Sequence, residues 1–393
     1  MLHLDLPEDG VIRQSRFRLQ GWYAAKEAKI PDELLLGGRS FSFSPVVRSD
    51  VEAAHTGMRA TGFGLTLHLS EIIDRIPDEG LRMELRTNGR ELEGLTLSVT
   101  EEARKSAESG VAAWKEKQAW VRSHIRCSVC RTDKSLVIGE DVIRCPECET
   151  DFDQHFRAAN LLAPDLDLPP RVHDSTAVSM HDYDDIARSL IEEIRAQGGM
   201  VLDCGAGLRE VCDPCVVTTE IFDFPTTDVL AVNEALPFPD NTFDAALSLN
   251  VLEHVTDPSR CAQELERVVK PGGRMYCVAA FLQPEHDYPG HFFNMTRTGL
   301  RKLFSRSTVV DSQFVPTSGH PIWTLQWFLR LYLEGLPEDE RKRFSKMSIE
   351  EVVERPIEEW LGDDIVMSLS QGRQFPIAST TALIMKAGTP GSS

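Results

Sequence analysis

Positive charge is scarce in this 393-residue chain: 42 Lys and Arg stand against 61 Asp and Glu, a formal net charge of −19. A grip on a nucleic-acid backbone is built from clustered Lys and Arg, so the overall balance points away from that class of partner. Long apolar runs are missing as well. The longest uncharged stretch, Ser312 to Leu329, contains Gln, Thr, Ser, His, Gly and two Pro, which rules it out as a bilayer-spanning helix. The first ten residues, MLHLDLPEDG, have neither the basic head nor the apolar core of a secretory signal, so the expected location is cytoplasmic. Nine cysteines in such a chain argue against a disulfide framework and for metal ligation plus ordinary buried thiols. What remains, 41% apolar and 26% charged residues, is the composition of a globular protein long enough for two to three domains.

Short runs with strand character, bounded by turn signals, occupy the first hundred residues: Val11 to Leu19, Phe41 to Val47, Gly62 to His68, Leu81 to Arg86 and Leu95 to Val99. They predict a small all-β sandwich over residues 1–110. Gly21-Trp22, Arg48-Ser-Asp50-Val51 and Gly62-Phe63 resemble an accessory β-sandwich found beside bacterial cell-surface glycan biosynthesis enzymes. The same residues also read more simply, with Trp22 and Phe63 as core aromatics and Arg48 with Asp50 as a turn-fixing ion pair.

A charged helical segment, Glu101 to Trp120, leads into two CxxC knuckles, Cys127–Cys130 and Cys145–Cys148, separated by 14 residues. That spacing predicts a zinc ribbon over residues 120–162, in which two tight turns and a hairpin present four thiolates as a tetrahedron. Four thiolates leave no position for water, so the Zn2+ would be structural. Such a ribbon should be open to disruption without touching a cofactor site elsewhere. Cys212 and Cys215 form a lone CxxC without partners and read as incidental, and the three prolines within Ala163 to His173 mark a linker.

From Asp182 onward, Ile186, Leu190, Ile191 and Ile194 share one helical face, and Met200 to Asp203 then reads as a buried strand running into Cys204-Gly205-Ala206-Gly207. Glycines there let a nucleotide approach bare backbone. A dinucleotide fingerprint would want a small residue at position 210, and Glu210 would repel a pyrophosphate at a helix start, so NAD and FAD are disfavoured. Val216 to Glu220 is a second strand whose terminal acid lies 17 residues after Asp203, near the spacing of about 20 at which a carboxylate reaches a ribose diol. Asp228 to Val232, the run "NEALPFPDNTFD" from Asn233, Val251-Leu-Glu-His254-Val, a helix through Cys261 to Val269, the turn Lys270-Pro-Gly-Gly273 and a strand Arg274 to Phe281 complete the pattern.

This succession, over roughly residues 180–310, resembles the class I S-adenosylmethionine-dependent methyltransferases, in particular their small-molecule branch. The resemblance implies a Rossmann-like, doubly wound seven-stranded α/β domain over residues 175–393, with Val309 to Val315 and Thr380 to Lys386 as its last strands. It also implies that Asp203, Gly205 and Gly207 form the methionine-side loop and that Glu220 holds both ribose hydroxyls. Asn233 would accept from the adenine amino group, Leu236 would pack on the adenine face, and Asn250 would stand beside the methyl group. The chain departs from the family in two ways: Glu220 replaces the commoner Asp, and the segment between Gly207 and Val216 is too short for a full first helix.

Methyl transfer from a sulfonium needs an aligned acceptor and, for a hydroxyl, a proton acceptor. The loop after the fifth strand supplies His286, Asp287 and His291 as candidate catalytic groups, whereas His254, inside a helical "LEHV", reads as structural. Trp323, Trp327 and Leu331 recur at i+4 and read as a core or homodimer face, or as a lid. The leading expectation is methylation of a small polar acceptor, a sugar or surface-glycan precursor. A ribosomal-RNA base methyltransferase is an alternative, suggested by the ribbon and opposed by six Lys and Arg against nine Asp and Glu over residues 121–170. A non-catalytic methyltransferase-like scaffold is the other.

Overall fold

The computed structural model describes residues 1–26, 30–41, 43, 45–132, 134–154, 157–168, 181–286, 290–304, 315–316 and 319–378. Alternating burial in the first hundred residues produces two facing sheets. One orders its strands Leu2–Leu6, Arg16–Ala25, Arg59–His68, Val46–Val47; the other orders them Val11–Ile12, Arg90–Val99, Leu81–Thr87, Glu33–Leu36, Arg39–Phe41. Leu19, Phe63, Leu65, Leu34, Met83 and Leu97 fill the space between them. The expected run Val11 to Leu19 is two strands, because Ser15 sits at the corner and is fully buried. Trp22 and Phe63 are buried, and Arg48 grips Asp50 through Nε–Oδ1 at 2.9 Å and Nη2–Oδ2 at 2.7 Å, so these residues serve the core and a turn.

The helix Glu101–His124 runs through the expected boundary at residue 110 without a break, capped by Thr100, whose hydroxyl accepts from Ala103 N at 3.2 Å. Its small residues Ala103 and Ala107 pack into the β-sandwich core, and one face further along carries Trp114, Lys117, Gln118 and Val121 onto the next domain. Trp114 Nε1 donates to Thr227 O at 3.2 Å, and Lys117 Nζ lies 2.7 Å from Asp228 Oδ2 with both side chains fully buried. The helix therefore covers the strands left bare by the short segment between Gly207 and Val216. The covering helix lies upstream of the domain in sequence.

The ribbon forms a three-stranded antiparallel sheet, Val137–Ile138, Val142–Arg144 and Asp151–Asp153. Its exit strand, Ala159–Asn160, then joins the main sheet, Ala159 N donating to Asp228 O at 3.0 Å and Leu161 N to Leu230 O at 2.9 Å. That main sheet is parallel and six-stranded among the described residues, in the order Ala159–Asn160, Val229–Leu230, Val216–Glu220, Val201–Cys204, Phe243–Leu249, Val269–Val278. The chain leaves the central strand Val201–Cys204 first to one side and later to the other, which opens a crevice at the carboxyl ends of the strands. The doubly wound arrangement is as expected, with a ribbon strand at one edge that sequence reasoning did not foresee. The expected strands Val309 to Val315 and Thr380 to Lys386 lie outside the described residues, apart from Val315, Asp287 lies outside them too, and so does much of the linker from Ala163 to His173.

Helix Asp185–Ala196 covers one face through Ala187, Leu190, Ile191 and Ile194, while Ile186 points to solvent rather than sharing that face. Residues 251–256 turn without forming a helix, and the next helix begins only at Pro258, capped by Asp257. A helical cluster from Pro321–Gly335 to the turn Phe375–Ile377 stands across the crevice. No helix among the described residues is long and apolar enough to cross a membrane.

Candidate functional site

The crevice is lined on its floor by Gly205, Gly207, Glu220, Asn233 and Asn250, and on its far side by His254, His286, Phe281, Trp327 and their neighbours. The floor follows from local backbone demands. Gly205 sits at φ 66°, and a Cβ there would stand 2.8 Å from both methyls of Val251. Glu220, at the end of its strand, turns its carboxylate back under the loop: Oε1 accepts from Gly207 N at 2.6 Å and Oε2 from Ile221 N at 3.0 Å. Burial pushes this carboxyl up to about 7 despite those two donors. Asp223, the other acid near this strand end, is spent elsewhere, accepting from Arg157 N at 3.2 Å and Ala158 N at 3.1 Å.

Two expected cofactor residues are placed differently. Asp203 is fully buried beneath the loop and does not line the crevice; its Oδ2 accepts from Tyr183 Oη at 2.6 Å and Arg209 Nε at 2.9 Å. Leu236 is buried in the core shared with the ribbon, in one cluster with Phe238, Phe243, Cys127 and Ile143. Ile221, Phe222, Ala231 and Val232 line the crevice instead. Glu210 does not stand at a helix start either. Its carboxylate accepts from Ser15 N at 2.7 Å and Arg16 N at 3.1 Å, and Arg16 Nη1 donates to Leu208 O at 2.8 Å, so the β-sandwich clamps the cofactor-side loop.

His68 completes that clamp. Its Nδ1 accepts from Ser70 N at 3.2 Å, which leaves Nε2–H to donate to Glu210 O at 2.7 Å. Burial lowers its pKa to about 4. The unfolded chain therefore takes up a proton first as pH falls, and stability present above pH 6.5 is lost between pH 6.5 and about 4, by roughly 3 kcal/mol. Urea titrations at pH 7 and pH 4 should show this loss reduced in His68→Gln; an equal loss in both proteins would remove His68 from the account.

On the far side, three histidines converge. His286 and His291 place their Nδ1 atoms 3.0 Å apart, and His291 Nε2 lies 3.1 Å from Asn294 Oδ1. His254, read from sequence as structural, lies 4.9 Å ring to ring from His286 and faces the crevice. Its Nδ1–H donates to Gly290 O at 2.6 Å, which leaves Nε2 as the acceptor, and burial together with the neighbouring histidines lowers its pKa. The signal that could have found it is its position four residues past Asn250, at the carboxyl end of a central strand. Glu253, fully buried, holds the histidine loop: its backbone oxygen accepts from Phe292 N at 2.7 Å and its Oε1 from Ala280 N at 3.2 Å.

The four ribbon cysteines fit a metal. Their sulfurs all lie within 4.8 Å of one another, with Cys127–Cys148 and Cys130–Cys145 both at 3.6 Å. Zinc bound tetrahedrally at about 2.3 Å from each sulfur requires edges of about 3.8 Å, so the donor set suits Zn2+ with little rearrangement.

Residues 203–277 match the family model described as "Methyltransferase domain". Among curated proteins, the chain is 41% identical over 70 residues to the ubiquinone/menaquinone biosynthesis C-methyltransferase UbiE of Pseudoalteromonas translucida, covering 16% of this chain and 28% of that one. It is 46% identical over 85 residues to the protein of the same name from Hahella chejuensis (22% and 34%). It is 47% identical over 57 residues to an uncharacterized methyltransferase of Schizosaccharomyces pombe (14% and 20%). The chain thus spans about a third or less of the length of these relatives. The strands and turns that build the floor of the crevice lie within the stretch that matches the methyltransferase-domain model.

Proposed function

We propose that the chain transfers a methyl group from S-adenosylmethionine to a small acceptor held between Glu220 and the three histidines. The observation that carries this reading is the half-buried Glu220 carboxylate, set beside a glycine loop at the switch point of a parallel sheet. Gly205, Gly207, Glu220, Asn233 and Asn250 would hold S-adenosylmethionine, which supplies a methyl on a cationic sulfur. Each Glu220 oxygen already accepts one backbone N–H and retains a second lone pair for a ribose hydroxyl. His254 or His286 would take the proton from an acceptor hydroxyl, and the tautomer of His254 is fixed by Gly290. The aromatic wall of Phe281 and Trp327 suits the flat or C–H face of a ring, in keeping with a sugar or glycan precursor as acceptor.

The first test is heat denaturation with S-adenosylmethionine, in which saturating cofactor should raise the melting temperature. A screen for a +14 mass shift (one CH2) over nucleotide sugars, lipid quinols and RNA then identifies the acceptor class. No stabilisation and no product would end this reading.

Glu220→Gln should weaken S-adenosylhomocysteine binding about tenfold or more, since hydrogen bonds to a charged acceptor are worth roughly 1.5–3 kcal/mol each and one acceptor is lost. With its carboxyl near 7, the wild type should also bind more tightly as pH rises from 6 to 8, because the ionised form accepts both hydroxyls. Calorimetry across that range checks both: a flat profile in wild type, or Gln matching Glu at pH 8, would dismiss Glu220 from the ribose.

A further inference from the structure

Arg131 follows the second cysteine of the first knuckle directly and sits at φ 57°, a left-handed conformation that side chains other than glycine rarely adopt. The knuckle supports this turn, Arg131 N donating to Cys127 O at 3.1 Å. From there the guanidinium leaves the ribbon altogether. Its Nη1 reaches Oε1 of Glu264 at 3.0 Å, and its Nη2 reaches the backbone oxygen of Glu234 at 3.4 Å.

Glu264 is buried on helix Pro258–Val268 and is the hub of the contact. Its Oε2 accepts from Leu236 N at 3.0 Å and from Arg267 Nη2 at 2.7 Å. Arg267 in turn donates to the backbone oxygens of Leu236 at 2.9 Å and Phe238 at 2.7 Å, and Arg126 N donates to Pro237 O at 2.9 Å. The wall from Glu234 to Phe238 is thereby held by its backbone, and Asn233 and Glu234 at its start face the crevice. Two of these holds, from Arg126 and Arg131, come from residues that flank Cys127–Cys130.

We propose that Arg131 is a positioning residue for the adenine side of the cofactor site, and that metal in the four-cysteine site sets cofactor affinity through it. The inference rests on the function proposed above. Metal on Cys127 and Cys130 would fix the knuckle turn; the turn aims Arg131; Arg131 and Glu264 hold the segment that carries Asn233. The ribbon is then not a unit that can be loosened without consequence for the cofactor, as its motif alone suggests.

The test compares zinc-loaded wild type with zinc-loaded Arg131→Ala, Arg131→Lys and Cys145→Ser, with metal content measured for each. Calorimetry is run with S-adenosylhomocysteine and with 5′-methylthioadenosine, which keeps adenine and ribose but lacks the amino-acid end. With zinc retained, Arg131→Ala should weaken both ligands by the same factor, about five- to tenfold for one partly exposed charged contact, and Arg131→Lys should recover part of it. Chelation or Cys145→Ser should weaken wild-type binding at least as much, while chelating Arg131→Ala should add little. Affinity within about twofold of wild type in zinc-loaded Arg131→Ala would overturn the proposal, as would a loss confined to S-adenosylhomocysteine. Those results leave the methyltransferase reading standing; wild type that binds neither ligand overturns both.

Discussion

His254→Ala should lower kcat about 100–10,000-fold on the acceptor found by the mass-shift screen, with S-adenosylhomocysteine binding left near the wild-type value. The size follows from what a positioned general base contributes to proton removal in the transition state. His254 is suited to it because its Nδ1–H donates to Gly290 O at 2.6 Å, leaving Nε2 as the acceptor, and burial beside two other imidazoles lowers its pKa, which favours the neutral ring. His286 is the rival. Its Nδ1 lies 3.0 Å from Pro284 O and from His291 Nδ1, so its own tautomer is fixed as well. Rate measurements on His254→Ala and His286→Ala, each with a binding control, separate the two. If neither variant falls by more than about threefold, proton removal is not what these histidines do, and they hold the loop from Phe281 to Asn294 instead.

Lys117→Met should destabilise the protein by about 3–5 kcal/mol, the usual cost of stranding one member of a buried ion pair. Lys117 Nζ and Asp228 Oδ2 lie 2.7 Å apart with no exposure on either side chain, and Nζ also donates to Asp213 O at 3.0 Å. Asp228 keeps Gln118 Nε2 at 3.2 Å and Thr218 N at 2.9 Å, which are enough for a neutral carboxyl but not for a bare buried charge. The deficit in Lys117→Met should therefore shrink as pH falls and Asp228 takes up a proton, and most of it should vanish in Lys117→Met/Asp228→Asn. Urea midpoints at pH 5 and pH 8 read both effects. A single variant as stable as wild type at pH 8 would mean that the helix Glu101–His124 is not anchored there.

The strands of the main sheet were legible because buried parallel strands are short β-rich runs closed by turn residues, as Val201–Cys204 and Val216–Glu220 are. The cysteine cluster was legible because ligand spacing is itself the constraint. What escaped was decided by partners far away in sequence. Glu210 looks like an electrostatic veto beside a loop, yet its charge belongs to Ser15 and Arg16. Leu236 looks like an adenine contact until the ribbon core claims it. The "LEHV" run has a helical look, but Asn250 at φ 59° redirects the backbone, and His254 meets the crevice from a turn. The short segment after Gly207 reads as a deficit only while residues 101–124 are counted with the domain before it.

That borrowed helix has a consequence for how the chain comes into being. During synthesis Glu101–His124 emerges about a hundred residues before the strands Val216–Glu220 and Val229–Leu230 that it covers, and it must wait with Lys117, Trp114 and Val121 unpartnered. Contacts of such sequence separation close slowly. The early β-sandwich, already holding Ala103 and Ala107, gives the waiting helix a platform that fixes its start and leaves its second half as a template for the incoming sheet. A chain begun at residue 175 would make the same two strands, covered on one face by Asp185–Ala196 and without the helix that lies across Val216 and Thr227.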